Sequence, residues 1–283
     1  MPQRDDSTRR FAAEVPGWVL PFFPGRSMRQ AALMAWIERQ LASGRPIPEI
    51  TRQDPRLTAE KAYRIQAQLM RRKVQAGDRI VGYKAALTSR AMQQREGISE
   101  PLLGTLLASR LRHEAQAVSL AGFIKATVEP EVGMILGRDL AGPGVTPQAA
   151  LAAIAGYVPA IEVGDIRTEG RRTIPHTICC NTFNGAHLFG SAAAAPRIDL
   201  RREGMVLSLN GNPVASATAV EVLGDPVLSV VFMANKLAEL GQSLKAGMAL
   251  LTGSIVSSIP VHPGDCVRVE FTRLGEIGAR FTV

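Results

Sequence analysis

Cysteine is scarce in this chain, and the three present, Cys179, Cys180 and Cys266, cannot all pair within one molecule. That excludes a disulfide framework, and the spacing lacks the two-pair pattern of a zinc site, so a reducing, cytoplasmic compartment is expected. No apolar run approaches the ~20 residues of a membrane span. The segment Trp18-Val19-Leu20-Pro21-Phe22-Phe23 is short and broken by proline, so neither a membrane partner nor a signal peptide is expected. Aromatics make up 5%, and the basic pairs behind the net charge of +8 (Arg71-Arg72-Lys73, Arg171-Arg172, Arg201-Arg202) are dispersed. No stacking platform is interleaved with charge, so nucleic acid is not an expected partner, whereas a small anionic substrate suits the same surplus. Also missing are a Gly-x-Ser-x-Gly elbow, a P-loop and a Gly-x-Gly-x-x-Gly fingerprint. The four histidines, His113, His176, His187 and His262, share no spacing and read as surface or packing residues.

What is present has the apolar fraction of a soluble globular protein, 46%. Residues 1–26 read as an extension and 27–283 as one domain, with a helical layer over 27–78 and a mixed β core over 79–283. In the layer, Ser27 caps a helix through Leu41 with Ala31, Leu33, Met34, Ile37 and Leu41 as its stripe. Thr58 caps a second helix with Glu60 in its first turn, Ile65 and Leu69 on one face, and Gly77 as its stop. Beyond residue 79, short strands alternate with turn residues, and Asn210-Gly211 marks a hairpin. Thr88-Ser89 caps a short helix ending near Gly97, and Thr146-Pro147 opens an alanine-rich helix ending at Gly156. Asp225-Pro226 opens a helix sending Val230, Val231, Ala234 and Leu237 to the core. The expected fold class is α+β.

The chemistry concentrates between Thr127 and Arg167. Glu129 and Glu131 lie two apart on an apolar strand and so project from one face. A buried pair of carboxylates needs a cation, a basic partner or protonation of one member. With Glu162 on the strand 159–167 they form an all-oxygen set suited to Mg²⁺ or Mn²⁺, and the other reading is ion pairing on exposed strand faces. Lys84, in the apolar run 80–87, needs a partner if buried; otherwise it is a strand-edge lysine reaching solvent. Cys179 and Cys180 read as buried small residues rather than nucleophiles.

An ordered set of motifs carries a resemblance: Gly82-Tyr83-Lys84-Ala85-Ala86-Leu87-Thr88-Ser89, Gly104-Thr105-Leu106, Glu129-x-Glu131 leading to Leu136-Gly137-Arg138-Asp139-Leu140, Pro159-Ala160-Ile161-Glu162, Leu251-Thr252-Gly253-Ser254 and Pro263-Gly264-Asp265. Over about residues 28–283 the chain resembles the 2-keto-4-pentenoate hydratase and 4-oxalocrotonate decarboxylase family, within the fumarylacetoacetate hydrolase superfamily. The resemblance implies that superfamily's roll of mixed β-sheet and a homo-oligomer, or an assembly with a related subunit. It implies Mg²⁺ or Mn²⁺ on Glu129, Glu131 and Glu162, with Lys84 as the catalytic residue beside a small anionic 2-oxo acid, its pKa lowered by burial near the metal. Substrate contacts would come from Thr88, Ser89, Leu102, Asn181, Phe183, Asn184, Thr252 and Gly253. The implied activity is a lyase acting on a 2-hydroxy-2,4-dienoate type of acid, by hydration or decarboxylation. An acylpyruvate-type C–C hydrolase and a non-catalytic scaffold subunit are the alternatives.

Two departures bear on the reaction. Hydratases of this family commonly carry Pro-Asp-Phe-Gly where this chain has Pro101-Leu102-Leu103-Gly104, so the acid/base carboxylate is replaced by Leu102, which favours decarboxylation. The family usually reads Asp-Asn-Ala-Ser-Ser-Gly where this chain has Cys180-Asn181-Thr182-Phe183-Asn184-Gly185, and Phe183 would reshape the pocket.

Overall fold

The structure is a computed structural model that describes residues 30–114, 116–191, 194 and 198–283. The extension over 1–26 and the Ser27 cap lie outside the described residues. The helical layer is α1 (Gln30–Ala42), β1 (Ile47–Pro48), α2 (Ile50–Gln53) and α3 (Ala59–Gln75). The Thr58 hydroxyl accepts from the Lys61 amide and caps α3, whose buried face is Ala62, Tyr63, Ile65, Gln66, Leu69 and Met70. In α1 the buried face is Leu33, Met34, Trp36 and Ile37; Ala31 is exposed, because the stripe is rotated to admit the larger Trp36.

The strand region begins with β2 (Ile80–Ala86), α4 (Arg90–Glu96), β3 (Leu102–Leu107), β4 (Leu111–Arg112), β5 (Val118–Ser119) and β6 (Ala126–Leu136). Ser89 alone caps α4, accepting from the Met92 amide, while Thr88 is buried. Next come α5 (Pro147–Ala153), β7 (Ile154–Asp165), β8 (Thr168–Glu169), α6 (Ile174–Cys179) and β9 (Asn184–Phe189). The alanine helix stops at Ala153 rather than Gly156, because Ile154 and Gly156 are drawn into pairing with Leu136 and Ile135. The remainder is β10 (Gly204–Leu209), β11 (Asn212–Thr218), α7 (Val227–Glu239), β12 (Ala249–Ser254), β13 (Ile259–Pro260), β14 (Cys266–Phe271) and β15 (Glu276–Thr282). Asn210 and Gly211, both at positive φ, make the tight β10–β11 turn. Along α7, Met233 is buried beside Val230, Ala234 and Leu237, while Val231 is half-buried.

Two larger sheets result, as expected for an α+β fold. One, in the order β3-β2-β12-β6-β7-β9-β4 with β13 on β6, is mixed and curls into a half-barrel; the other runs β11-β10-β14-β15-β5. β6 and β7 are buried on both faces, which is what permits charged side chains to be sequestered on the inner one. Among the described residues no helix is long and apolar enough to cross a membrane.

Candidate active site

Register decides the site. On β6 and β7, Glu129 pairs with Glu162, and on β7 and β9, Glu162 pairs with His187, so the three side chains form one cross-strand ladder on the inner face. Glu131, two residues on, projects from the same face. One oxygen from each of Glu129, Glu131 and Glu162 lies within 4.8 Å of the others. Glu131 and Glu162 are buried and Glu129 is half-buried at the edge of a cavity of about 580 Å³. The reading of these residues as exposed ion-pairing groups is therefore set aside.

Lys84 reaches into this cluster from β2 and is 2% exposed, so the strand-edge reading is excluded. Its Nζ donates to Glu162 Oε2 at 2.5 Å. Burial opposes the ammonium, but Glu162, Glu129 and Glu131 outweigh it and hold the pKa above the ordinary lysine value. The carboxylates surround the amine, which is why they prevail over its burial. Gly104, the cross-strand partner of Lys84, makes room for its stem: a Cβ there would lie 2.7 Å from Lys84 Cγ and 2.3 Å from Thr182 Oγ1.

Burial, then Glu162, raise the Glu129 carboxyl to about 7, with Lys84 opposing. Burial, then Glu162, hold Glu131 well above the usual carboxylate range despite Lys84. The Gly253 amide donates to Glu131 Oε2 at 2.6 Å, from a backbone at φ +114 packed so closely on Thr88 that a Cβ would lie 2.2 Å from its hydroxyl oxygen. Glu131 Oε1 is buried with no hydrogen-bond partner. Three carboxylates facing one ammonium, with an orphaned oxygen among them, form an all-oxygen donor set that fits a hard divalent cation.

The other expected contacts divide. Thr88, Ser89 and Phe183 line the cavity. Leu102 is buried on β3 opposite Ala86, on the Lys84 face but outside the cavity lining. Asn181 is turned away: its amide clamps the backbone of Thr105, accepting from the N–H and donating to the carbonyl, each at 2.8 Å. This clamp helps hold Asn181, Thr182 and Phe183 at φ of 51, 50 and 62, a strained run for residues with a Cβ. Thr252 is buried, with its hydroxyl donating to the Val132 carbonyl, so it braces β12 against β6 rather than facing the cavity. Asn184 donates Nδ2 to Glu162 Oε1 at 2.9 Å and acts on the cluster rather than on the cavity.

Among the wall residues that sequence reasoning missed, two carry polar groups close to the carboxylates. Thr127, two before Glu129 and on the same strand face, lines the cavity with a buried hydroxyl that has no partner; the period of two was the signal. Arg172 lines the cavity from the loop before α6, 3.9 Å from Glu96, and it lowers the Glu129 pKa; nothing in the pair Arg171-Arg172 distinguished it. No histidine lines the cavity, and Glu114, beside His113, accepts from the Gly278 amide instead. Cys179 and Cys180 are buried, with burial pushing the Cys179 thiol up to about 12.

The model of the fumarylacetoacetate (FAA) hydrolase C-terminal family matches residues 79–282. A 2-keto-4-pentenoate hydratase of Paraburkholderia xenovorans is 33% identical over 243 residues, 85% of this chain and 90% of that protein. A 4-oxalocrotonate decarboxylase of a Pseudomonas species is 32% identical over 251 residues, 88% and 97% of the two chains. The solved structure of 4-oxalocrotonate decarboxylase from Pseudomonas putida G7, complexed with magnesium and adipate, superposes with a TM-score of 0.86 at 31% identity, covering 90% of this chain and 99% of that one.

Proposed function

The chain belongs to the fumarylacetoacetate hydrolase C-terminal family, and from that premise we propose that Glu129, Glu131 and Glu162 hold the divalent ion of a lyase acting on an unsaturated 2-oxo acid. The observation that carries this reading is the buried, partnerless Oε1 of Glu131 within a three-carboxylate cluster. Mg²⁺ or Mn²⁺ suits the all-oxygen set. When bound, the ion supplies Lewis acidity to the 2-oxo acid.

The chain's own groups supply the rest. Lys84 presents its amine to the anionic substrate, and Thr127 offers its unpartnered hydroxyl from the same wall. Arg172 faces the cavity as the group for a distal carboxylate, and Thr88, Ser89 and Phe183 complete the wall. Decarboxylation is favoured over hydration, because apolar Leu102 stands where hydratases of the family commonly carry a carboxylate. The bond to the departing carboxylate breaks, its electron pair moves through the alkene into the oxo group, and Lys84 carries a proton for the dienolate that remains. Hydration is the second reading, supported by Glu96 and Glu221 on the cavity wall, either of which can take a proton from water. Three free cysteines among the described residues suit the cytoplasm. A homo-oligomer is supported by the long edge strand β11 with Val206, Val214 and Val220 exposed nearby.

The test is to supply Mg²⁺ or Mn²⁺ and 2-hydroxy-2,4-dienoates with and without a second carboxylate, following diene absorbance and released CO₂. CO₂ from the dicarboxylate is expected, with Lys84→Met slower by roughly 10²–10⁴-fold. Diene loss without CO₂ would assign hydration instead.

A further inference from the structure

Asn184 and His187 lie outside the cavity, yet both are tied to Glu162, which lines it. The Glu162 carboxylate is held at both oxygens: Oε2 accepts from Lys84 at 2.5 Å and Oε1 from Asn184 Nδ2 at 2.9 Å. The orientation of the Asn184 amide follows from that contact, because the flipped amide would set its oxygen against a carboxylate oxygen. With Nδ2 committed to Glu162, Asn184 Oδ1 faces His187 Nδ1 at 3.4 Å. A neutral imidazole carries one N–H. On Nδ1 it gives Asn184 a donor. On Nε2 it would leave a buried donor without a partner, since Nε2 has none in the structure, and would oppose two lone pairs at Nδ1. Geometry therefore selects the Nδ1–H tautomer.

His187 is itself fixed. It is 0% exposed on β9 between β4 and β7, pairs with Leu111 and Glu162 across the strands, and packs edge-on against Phe189 at 5.9 Å between ring centroids. The position is not a packing site alone, since a hydrocarbon of similar size would fill it without burying a bare ring nitrogen. Where the family usually reads serine, this chain carries Asn184, long enough to span from the imidazole to the carboxylate.

We propose that His187 and Asn184 form a positioning relay, Nδ1–H to Oδ1 and Nδ2–H to Oε1, that fixes the rotation of the Glu162 carboxylate for the divalent ion. The relay rests on the metal reading given above and adds to it two residues that touch neither ion nor substrate. Partners behind a ligand set its orientation and basicity, and their loss typically weakens metal binding about 10–100-fold.

The test is titration of the purified protein with Mn²⁺ alone, read by calorimetry or by the paramagnetic resonance of free ion, with urea unfolding confirming that each variant is folded. His187→Leu and Asn184→Ala are each expected to weaken Mn²⁺ binding about tenfold or more. His187→Asn, whose amide N–H sits near the place of Nδ1–H, is expected to restore most of it. Because His187 acts through Asn184, the double variant His187→Leu/Asn184→Ala should bind no more weakly than Asn184→Ala alone. Wild-type affinity in either single variant, additive losses in the double variant, or a His187→Asn as weak as His187→Leu would overturn the relay. Should His187→Leu not fold, Asn184→Ala carries the test, and unchanged affinity there overturns it. Absence of Mn²⁺ binding in the wild type would remove the metal reading and the relay together, whereas tight wild-type binding with unaffected variants removes the relay alone.

Discussion

Glu203 and Glu131 are both 0% exposed, and they are opposites. Glu203, just before β10, has both oxygens satisfied: Oε1 accepts the amides of Arg273 and Leu274 at 2.6 and 3.1 Å, and Oε2 accepts Arg273 Nε at 2.8 Å. Its charge closes the loop after β14 and has nothing left to offer. Glu131 has one donor, the Gly253 amide, a buried oxygen without a partner, and two further carboxylates beside it. Burial of a carboxylate is thus not the mark of a functional site; burial with capacity left unused is.

The sharpest way to break that comparison is to neutralise each glutamate in turn. Glu131→Gln should lower kcat/KM by roughly 10²–10³-fold, measured on the dienoate substrates, while the metal-free protein stays at least as stable to urea because a like charge is removed. Glu203→Gln should do the reverse, keeping turnover near wild type and costing roughly 2 kcal/mol, since a charge-assisted network loses its acceptor beside a partly exposed arginine. A Glu203 variant as inactive as the Glu131 variant would dissolve the contrast.

A binding measurement sharpens it. Mn²⁺ at a hundred times its Kd should stabilise the wild type by about 2.7 kcal/mol in urea unfolding, and Glu131→Gln by far less at the same concentration. Equal stabilisation would place the ion elsewhere.

The smallest effect concerns a buried group that resembles Glu203 in being satisfied. His176 accepts from the Ile50 amide at Nδ1 and meets the Thr168 hydroxyl at Nε2, joining α2, β8 and α6. Burial lowers its pKa to about 4. The unfolded chain takes up a proton below pH ~6.5 that the folded chain does not, so stability falls as pH drops through that window, by roughly 2 kcal/mol between pH 7 and 5. In His176→Gln the urea midpoint should fall less over the same range. An equal fall would assign the acid sensitivity to other groups, His187 among them, which burial also lowers to about 4.

Much of the fold was readable along the chain because the relevant physics is local. Asn210-Gly211 needs positive φ at consecutive residues, Thr58 needs only Lys61 three residues on, and the alternation about Glu129 and Glu131 needs only the pleat. The miss at Gly156 has the opposite cause: an alanine-rich run favours helix, but pairing with Ile135 across β6 overrides it. The site was partly readable for the same reasons. The carboxylates were found by strand period and an ordered resemblance, and Thr88 and Ser89 do line the cavity. Asn181 and Thr252 were assigned to the substrate because they sit inside motifs, yet their polar atoms are spent on Thr105 and Val132. Arg172 carried no local signal.

By itself the sequence determined that two glutamates share a strand face, since a period of two is a property of the chain alone, while the ordered resemblance supplied the third glutamate, the lysine beside them and the reading of Leu102 as standing in place of an aspartate. Only the tertiary structure decided which atoms remain free. Lys84 and Glu162 are 78 residues apart in sequence and 2.5 Å apart in space. Glu131 Oε1 is orphaned because the β12 turn at Gly253 reaches just one of its two oxygens. Hydrogen-bond satisfaction is a sum over neighbours from every strand that folds against a group, and that sum is not written in any one of them.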